Sequence, residues 1–349
     1  DRLAVLIGSK GTTKKDIELR GTDLENTVHV LTAGKIEKEG AILLPTRTIV
    51  ETINALPKDQ VIIETEGLLA VVKGGKYEVK INGISATEFP ELPNVNTKER
   101  RMIADILPYI REVAFAAAVD ESRASLTGVL TLFGKNETTL VATDGYRLSL
   151  KKAPHKAKGA EDEKAHLIIP ARMFAEVAKI DAEVKKGEEA KESFLAIGGA
   201  KNQVAFLLGD VTIFTRLIEA DFPPYEKIIP ASFQTRAVFD REELVAAVKL
   251  SAVFARDSAN IVKVKISEKG IVVSANAPQV GENTCEVGAE VSGDENEIAF
   301  NSRFLLEFLN ALDSKEIAFE MTGPLNPGVF KIPGDDSYLH IIMPVRVQE

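Results

Sequence analysis

Four carboxylates stand at turn-like positions in this chain: Asp23, Asp144, Glu219 and Asp221. Carboxylates that lie close together could act as general acid and base or could ligate a metal ion. The sequence offers them no chemical partner, because it contains neither a nucleophile–base pair nor the phosphate-binding pattern Gly-x-x-x-x-Gly-Lys-Ser/Thr. The four histidines are scattered, and the single cysteine excludes a cysteine-based metal cluster. We therefore predict no catalytic residue and no metal site, while a carboxylate-dependent hydrolase on a β-rich scaffold stays open as an alternative.

The most informative stretch, at 141–150, reads Val-Ala-Thr-Asp-Gly-Tyr-Arg-Leu-Ser-Leu. Asp-Gly between apolar runs predicts a β-hairpin, since glycine takes positive φ readily and aspartate tolerates it. The Thr-Asp pair recurs at Thr22 and Asp23, in a related segment. The turn is therefore predicted to be scaffold that two domains share, whereas Tyr146 and Arg147 at its tip are typical of a binding surface.

Three segments share one layout: a short apolar strand, a Pro or Asn, a small residue, an Arg and then an amphipathic helix. They begin at Ile42, Leu167 and Ile298. Strand-like alternation with glycine turns follows the first two helices, which indicates a β-meander. Helices are also predicted before the strands of the second and third copies, over 102–115 and 244–254, and Pro108 is expected to kink the first of them or to shift its start. Each copy therefore spans about 120 residues, which is the size of a domain.

This repeat predicts three domains, at 1–97, 98–220 and 221–349. The first copy lacks its opening helix, so we expect about 25–30 residues to be missing at the N-terminus. The chain has 349 residues, of which 45% are apolar and 27% charged, as in ordinary globular proteins. The absence of a long apolar run and of a signal-peptide pattern predicts a cytoplasmic protein. A net charge of −9 argues against tight binding of nucleic acid over the whole surface.

Several motifs together resemble one family, the bacterial DNA polymerase III beta subunit or DNA sliding clamp. They are Thr-Asp-Gly-Tyr-Arg-Leu at 143–148, the three strand–Arg–helix junctions, Phe-Pro at 222–223 and Met-Pro-Val-Arg at 343–346. The resemblance covers essentially the whole chain in order. It implies an α+β fold of three repeated clamp domains, each made of two βαβββ halves with inner helices and outer antiparallel sheets.

The resemblance also implies a function. Two subunits would close head-to-tail into a homodimer ring around double-stranded DNA, without reading its sequence. Such a ring is a processivity factor and not an enzyme, and it has no cofactor. It tethers the DNA polymerase III alpha subunit, the clamp loader and other clamp-motif proteins, and no membrane is involved.

The family binds its partners through one peptide pocket per subunit, between the second and third domains. The matching positions here are Leu126, Thr143, Gly145, Tyr146, Arg147, Leu148, Pro223, Lys227, Ile228, Asn301, Phe304, Leu325, Pro327, Ile341, Ile342, Met343, Pro344, Val345 and Arg346. The chain departs from the family at four places. Tyr146 stands where His is frequent, Lys227 where Arg is common, residues 124–125 where some members present aromatics to DNA, and the chain continues past Arg346.

The residue types at these positions suit a peptide pocket. An apolar floor is expected from Leu126, Leu148, Ile342 and Met343, and methionine adapts to varied partner side chains. Arg147 and Arg346 are expected to hydrogen-bond a peptide backbone or carboxyl group. The alternative is that Met343 and Pro344 form a buried strand end and that Arg147 makes a surface ion pair.

A sliding ring needs weak attraction to phosphates and no contact that reads bases. The expected inner-helix cations are Arg47, Arg100, Arg101, Arg111, Arg123, Arg172, Lys179, Lys249 and Arg303. Arg47, Arg172 and Arg303 are best supported, because they occupy the same place in three repeats; solvated helix residues are the alternative reading. Ring closure is expected to join exposed strands near 61–81 to exposed strands near 261–275 of the other subunit. A repeat-built interaction scaffold that does not bind DNA is a further alternative.

Overall fold

The structure is a computed structural model, which describes residues 4–9, 17–58, 60–92, 95–155, 166–186, 192–198, 202–256 and 258–346. The first elements are β1 (Ala4–Ser9), β2 (Ile17–Thr22), β3 (Thr27–Thr32), β4 (Ala41–Pro45), α1 (Thr46–Ala55), β5 (Val61–Glu66), β6 (Leu69–Gly74), β7 (Tyr77–Asn82) and β8 (Val95–Met102). They are followed by α2 (Ile110–Ala114), β9 (Gly128–Phe133), β10 (Glu137–Thr143), β11 (Arg147–Pro154), β12 (His166–Pro170), α3 (Ala171–Val184), β13 (Ser193–Gly198), β14 (Gln203–Leu208) and β15 (Val211–Arg216). The last are β16 (Thr235–Asp240), α4 (Arg241–Ala255), β17 (Ile261–Ser267), β18 (Gly270–Ala277), β19 (Gly281–Val287), β20 (Ala289–Gly293), β21 (Asn296–Asn301), α5 (Ser302–Ala311), β22 (Glu316–Met321), β23 (Gly328–Ile332) and β24 (Asp335–Ile342).

The chain forms two compact units. Of the described residues, those up to 104 and those in 179–217 belong to the first unit, and those in 105–155, 166–178 and 218–346 belong to the second. In the first unit the sheet orders are β4-β1-β2-β3-β15-β14-β13-β8 and β5-β6-β7. In the second unit they are β12-β9-β10-β11-β24-β23-β22-β16-β20 and β19-β18-β17-β21. Neighbouring strands pair antiparallel, for example β10 with β11 and β11 with β24. The predicted α+β architecture with antiparallel sheets is confirmed.

The predicted strand–Arg–helix junction is present in all three copies. Strands β4, β12 and β21 run directly into helices α1, α3 and α5, and an arginine is the second residue of each helix. Pro45 precedes α1 and Pro170 precedes α3, where a missing N–H costs little. Asn301 caps α5, because its side-chain oxygen accepts the backbone N–H of Arg303 at 2.9 Å.

The helix predicted over 102–115 starts later than residue 102, and the expected shift of its start at Pro108 is confirmed. Strand β8 ends at Met102, a 3-10 turn covers Leu107–Tyr109, and α2 begins only at Ile110. Proline at position 108 has no N–H for a helical hydrogen bond, so it stands in the opening turn. The helix predicted over 244–254 is confirmed within α4, whose N-terminus is capped by Asp240.

The strands expected as an exposed edge near 261–275 are not at an edge. They are β17 and β18, the inner strands of their sheet, because β21 and β19 pair along their outer sides. The outer strands of that sheet are β19 and β21, and those of the three-stranded sheet in the first unit are β5 and β7. Among the helices of the described residues, none combines the length and the apolar character needed to cross a bilayer.

Candidate functional site

The turn between β10 and β11 is held by two side chains. The hydroxyl of Thr143 donates to the carbonyl of Arg147 at 2.6 Å and accepts the N–H of Gly145 at 3.0 Å. The Asp144 carboxylate accepts the backbone N–H groups of Tyr146 at 2.9 Å and Arg147 at 3.0 Å. These bonds engage the backbone N–H groups of Gly145, Tyr146 and Arg147 and hold the turn, whose Tyr146 side chain is 61% exposed.

The turn after β2 is built in the same way. The Thr22 hydroxyl donates to the carbonyl of Asn26 at 2.9 Å and accepts the N–H of Leu24 at 3.0 Å, and Asp23 accepts the next two backbone N–H groups. Leu24 has φ 78°, where Gly145 has φ 90°. The prediction that Thr-Asp is shared scaffold is confirmed, since identical bonding holds a tip of different sequence.

Strand β24 joins this hairpin to the C-terminal segment. Arg147 pairs with Ile342 and Leu148 with Ile341 along the ladder. One residue further, the backbone N–H of Met343 donates to the carbonyl of Tyr146 at 2.8 Å. The 143–148 motif and the 343–346 motif, which are far apart in sequence, are therefore hydrogen-bonded neighbours in one sheet.

Arg147 is buried in an ion-pair network. Its side chain is 7% exposed; Nε donates to Asp144 at 3.0 Å, and Nη1 lies 2.6 Å from the Glu307 carboxylate. Nη2 donates to the carbonyl of Phe115 at 2.9 Å. The guanidinium also lies between two rings, 5.4 Å from the centroid of Phe115 and 4.6 Å from that of Phe304.

Two of the Arg147 donors, Nε and Nη2, are engaged inside the protein, while Nη1 lies beside Glu307 without a hydrogen bond. The guanidinium therefore holds its neighbours in place, and its contact with a peptide stays a prediction. The Phe304 ring, held over the guanidinium, stacks on the Tyr146 ring at 6.5 Å and 25°. Sequence reasoning did not find Phe115 or Glu307. Glu307 did leave a signal, because a Glu follows the repeated Arg by four residues in all three copies.

The predicted pocket residues divide by exposure. The exposed group is Gly145, Tyr146, Pro223, Lys227, Ile228, Leu325, Met343 and Arg346. The partly exposed group is Asn301, Phe304, Pro327, Pro344 and Val345. The buried group is Leu126, Thr143, Arg147, Leu148, Ile341 and Ile342. Of the predicted pocket residues, Tyr146, Ile228, Leu325 and Met343 are the large apolar side chains that remain exposed.

The apolar floor expected from four residues is corrected. Leu148 and Ile342 are 0% exposed and Leu126 is 7% exposed, so only Met343, at 38%, offers apolar surface to a peptide. The physical reason lies in the sheet: Leu148 packs with its ladder partner Ile341 beneath the side chains of the 218–229 connection. Burial of this kind depends on strand pairing and cannot be read from residue type.

A row of polar groups supports β11 from the face opposite Leu148. The Ser149 hydroxyl lies 2.6 Å from Nδ1 of His340, and burial holds the pKa of that imidazole well below its ordinary value, which keeps it neutral. Lys151 lies 3.1 Å from Asp335 and 3.7 Å from Glu112. Burial raises the pKa of Glu112; burial also opposes ionisation of Asp335, but hydrogen bonds from neighbouring groups lower its pKa.

Gly145 gives a first testable prediction. Gly145→Ala should destabilise the protein by about 1–2 kcal/mol, because a φ of 90° is unfavourable for alanine. The new Cβ would also meet Nη1 of Arg123 at 3.0 Å, and this exposed side chain should move aside. Thermal unfolding measures the change. Leu24→Ala is the matched control, since it keeps a Cβ in the equivalent turn; a Gly145→Ala protein as stable as the parent would contradict the prediction.

The three repeated arginines all lie on the surface at helix starts. Arg47, Arg172 and Arg303 are exposed. Arg47 forms an ion pair with Glu51 at 2.8 Å, one turn along the same helix. In the third copy the corresponding glutamate is Glu307, which pairs with Arg147 as described above. The expected placement at helix starts is confirmed for these three arginines, while contact with DNA stays a prediction.

The other expected inner-helix cations are more varied. Lys179 lies on α3, Lys249 on α4 and Arg111 on α2, where it pairs with Asp313. Arg100 and Arg101 are not on a helix: they belong to strand β8, where Arg100 lies over the Phe194 ring at 3.9 Å. They were misplaced because the helix was predicted to begin at residue 102, directly after them. Arg123 also lies outside the α-helices, in a 3-10 segment against Gly145, at the edge of the pocket.

The four carboxylates considered for acid–base or metal chemistry lie in turns or on the surface. Asp23 and Asp144 hold turns, and Glu219 and Asp221 are exposed. In the described parts of the chain, no group of three or more His, Cys, Asp or Glu side chains is arranged to hold a metal ion.

Comparison with known proteins identifies the family. Family models of the DNA polymerase III beta subunit match the chain in order: the N-terminal domain over 5–93, the central domain over 104–224 and the C-terminal domain over 226–346. The beta sliding clamp of Bacillus subtilis is 31% identical over 318 residues, which cover 89% of this chain and 82% of the relative. The beta sliding clamp of Staphylococcus aureus is 29% identical over 360 residues, which cover 99% of this chain and 92% of the relative.

Solved structures agree with this comparison. The crystal structure of the DNA polymerase sliding clamp of Bacillus subtilis matches with a TM-score of 0.87 and 27% identity, and covers 99% of this chain and 91% of that one. The crystal structure of the DNA polymerase III beta subunit of Thermotoga maritima matches with a TM-score of 0.86 and 27% identity. The match covers 99% of this chain and 91% of that one. The chain therefore belongs to the beta sliding clamp family, the beta subunits of DNA polymerase III.

Proposed function

We propose that this protein is a cytoplasmic sliding clamp, a non-catalytic processivity factor that encircles duplex DNA as a head-to-tail homodimer. The observation that carries the proposal is the arginine at the start of α1, α3 and α5, in three copies of one strand–helix junction. Surface arginines at equivalent places suit sequence-independent contact with phosphates. Three domains, at 1–97, 98–220 and 221–349, are part of the proposal.

The pocket proposal follows from the exposed rim. Tyr146, Ile228, Leu325 and Met343 expose apolar surface, and Tyr146 and Met343 are joined by a backbone hydrogen bond where β11 pairs with β24. Large exposed apolar side chains that cluster on a soluble protein are typical of docking sites. We infer that the clamp loader, the DNA polymerase III alpha subunit and other partners dock short peptides there, and that Arg346 and Lys227 contribute charge at the rim.

DNA topology tests the function as a whole. A clamp loaded onto nicked circular duplex by a bacterial clamp loader should remain bound through gel filtration, and it should be lost when the circle is cut to a linear form. A hydrolase or a scaffold that does not bind DNA has no reason to distinguish the two forms. Equal retention on circular and linear DNA would count against the ring.

Subunit association tests the ring separately. The solution mass at micromolar concentration should be twice the 37.9 kDa mass of the chain. Within the part of the chain that the structure describes, β5 and β7 are the outer strands of one sheet and β19 and β21 those of another, and such edges could pair between subunits. A monomer at that concentration would oppose the proposal.

Met343 gives a second testable prediction. Met343→Glu should weaken binding of a fluorescent clamp-motif peptide from the polymerase alpha subunit at least tenfold, about 1.4 kcal/mol, because it puts charge into the exposed apolar rim. Fluorescence anisotropy measures the affinity. The control is Val119→Glu, which changes another exposed apolar residue, 97% exposed, outside the predicted pocket. If Met343→Glu leaves the peptide affinity unchanged, Met343 does not contact the peptide.

A further inference from the structure

The repeated arginines on α1 and α5 have different electrostatic surroundings. A glutamate follows each of them by four residues, which places the two side chains on one face of the helix. On α1, Arg47 and Glu51 form an ion pair at 2.8 Å, with 89% and 66% of their side chains exposed. On α5, Glu307 lies 2.6 Å from Nη1 of Arg147, and among the described residues Arg303 forms no side-chain hydrogen bond or ion pair.

Arg147 is the better partner for the Glu307 carboxylate. Its side chain is buried, and hydrogen bonds from Nε to Asp144 and from Nη2 to the Phe115 carbonyl hold it in place. Since the guanidinium is already ordered, little side-chain entropy is lost when it pairs. A pair between Arg303 and Glu307 would have to order two side chains in water, where ion pairs contribute little. The carboxylate is therefore drawn to Arg147 and away from Arg303.

This difference matters for a contact with phosphate. A cation adds to salt-dependent binding of DNA by replacing the counterions of a phosphate. At the first junction, a phosphate has to displace Glu51 before it gains the full contact with Arg47. At the third junction, the neighbouring carboxylate is neutralised by Arg147, and the Arg303 guanidinium is available without such competition. Two arginines at equivalent positions of the repeat should thus contribute unequally.

We propose that Glu307 is a positioning residue for DNA binding: its pairing with the buried Arg147 keeps Arg303 available to the phosphate backbone. The buried arginine of the hairpin turn thereby sets the electrostatic surroundings of a surface arginine on α5. The inference rests on the proposed function, since it takes Arg303 to face duplex DNA. It makes Arg303 a stronger phosphate contact than Arg47.

Single neutralisations test the unequal contributions. The readout is the slope of log affinity against log salt for a labelled short duplex, which the ring can thread from an open end. Arg303→Gln should lower this slope by about 0.9 per subunit, the value of one phosphate contact, and Arg47→Gln by less than half as much. Glu51→Gln should raise the slope because it releases Arg47, whereas Glu307→Gln should raise it much less. Glu295→Gln removes an exposed carboxylate outside the helices and measures the effect of net charge alone.

Removal of Arg147 tests the coupling itself. Arg147→Met should lower the slope by up to about 0.9 per subunit, because Glu307 is then free to pair with Arg303. Adding Glu307→Gln to Arg147→Met should restore the slope, but not the stability, since the hydrogen bonds of Arg147 inside the protein are still missing. A slope that recovers without stability separates the coupling from a general structural defect. Adding Glu295→Gln instead gives the same net charge and should restore neither.

The outcomes separate this inference from the function beneath it. Equal gains from Glu51→Gln and Glu307→Gln would overturn the inference, and this comparison needs no change at Arg147. A slope that Arg303→Gln lowers and Arg147→Met leaves unaltered would also overturn it. If Arg303→Gln leaves the slope unchanged, the phosphate contact proposed for this junction fails together with the inference, while retention on circular DNA still tests the ring. If Arg303→Gln weakens only the clamp-motif peptide, Arg303 belongs to the pocket and the inference is wrong.

Discussion

Changing Arg47, Arg172 and Arg303 together to glutamate should release the protein from nicked circular DNA. Each change reverses one exposed charge at a helix start, so the net charge falls by six, from −9 to −15. If each arginine contacts one phosphate, loss of three contacts lowers the slope of log affinity against log salt by about 2.7, and we expect affinity near 0.1 M salt to fall at least about a hundredfold. The helices should tolerate the change, because acidic residues in a first turn are favourable.

Retention on nicked circles and the salt dependence of DNA binding measure this effect. The control is Lys38→Glu, Lys152→Glu and Lys315→Glu, three exposed cations outside the helices, which give the same net charge. Because Arg47 already pairs with Glu51, we expect it to contribute least among the three arginines. If the control triple variant loses DNA equally, overall charge and not the repeated junction governs binding.

Replacing Arg147 with methionine should damage both stability and peptide binding. The change leaves Asp144 and Glu307 without their cation and the Phe115 carbonyl without a donor. Removing one partner of a fully buried ion pair costs 3–5 kcal/mol; Glu307 is 42% exposed and can be solvated, so we expect about 2–4 kcal/mol. Peptide affinity should fall as well, because Phe304 loses the guanidinium that holds its ring beside Tyr146.

Urea unfolding and peptide anisotropy measure the two losses. Arg147→Lys should recover little of the stability and peptide affinity that Arg147→Met loses. An ammonium group cannot contact two carboxylates and a carbonyl at once as the planar guanidinium does. Glu307→Gln is the control, and it should cost less than about 1 kcal/mol because its carboxylate is partly solvated. If the Arg147→Met protein keeps its full stability but no longer binds the peptide, then Arg147 contacts the peptide directly, and the expected structural role is wrong.

Local patterns in the sequence were sufficient for the repeated elements. Two Pro-x-Arg sequences and one Asn-x-Arg sequence between a strand and a helix located three junctions, and Thr-Asp located two turns, since proline, capping asparagine and turn aspartate act within a few residues. Pro108 also indicated that the helix predicted over 102–115 would start late, because proline has no N–H to donate. The pairing of β8 with β13, which takes residues up to 102 into a strand, could not be read from local spacing.

The interior of the candidate site could not be predicted in the same way. Leu148 and Ile341 were assigned to the pocket as apolar residues, but they are buried by a pairing between strands almost two hundred positions apart in the sequence. Arg147 was recognised as important, but its engagement by Glu307 and Phe115 depends on long-range packing. The family resemblance indicated where the site is expected, and the fold decides which of those side chains remain exposed.

The alternation along β11 has a consequence for how faithfully this chain folds. Arg147, Ser149 and Lys151 meet polar partners on one face, while Leu148 and Leu150 pack into an apolar cluster on the other. A slip of one residue would exchange the two faces and drive two charges and a hydroxyl into that cluster without partners. We therefore expect the polar row to select the native strand register during folding. A hairpin that pairs one residue out of register would bury unpaired polar groups, and the free-energy cost would keep it from completing the sheet.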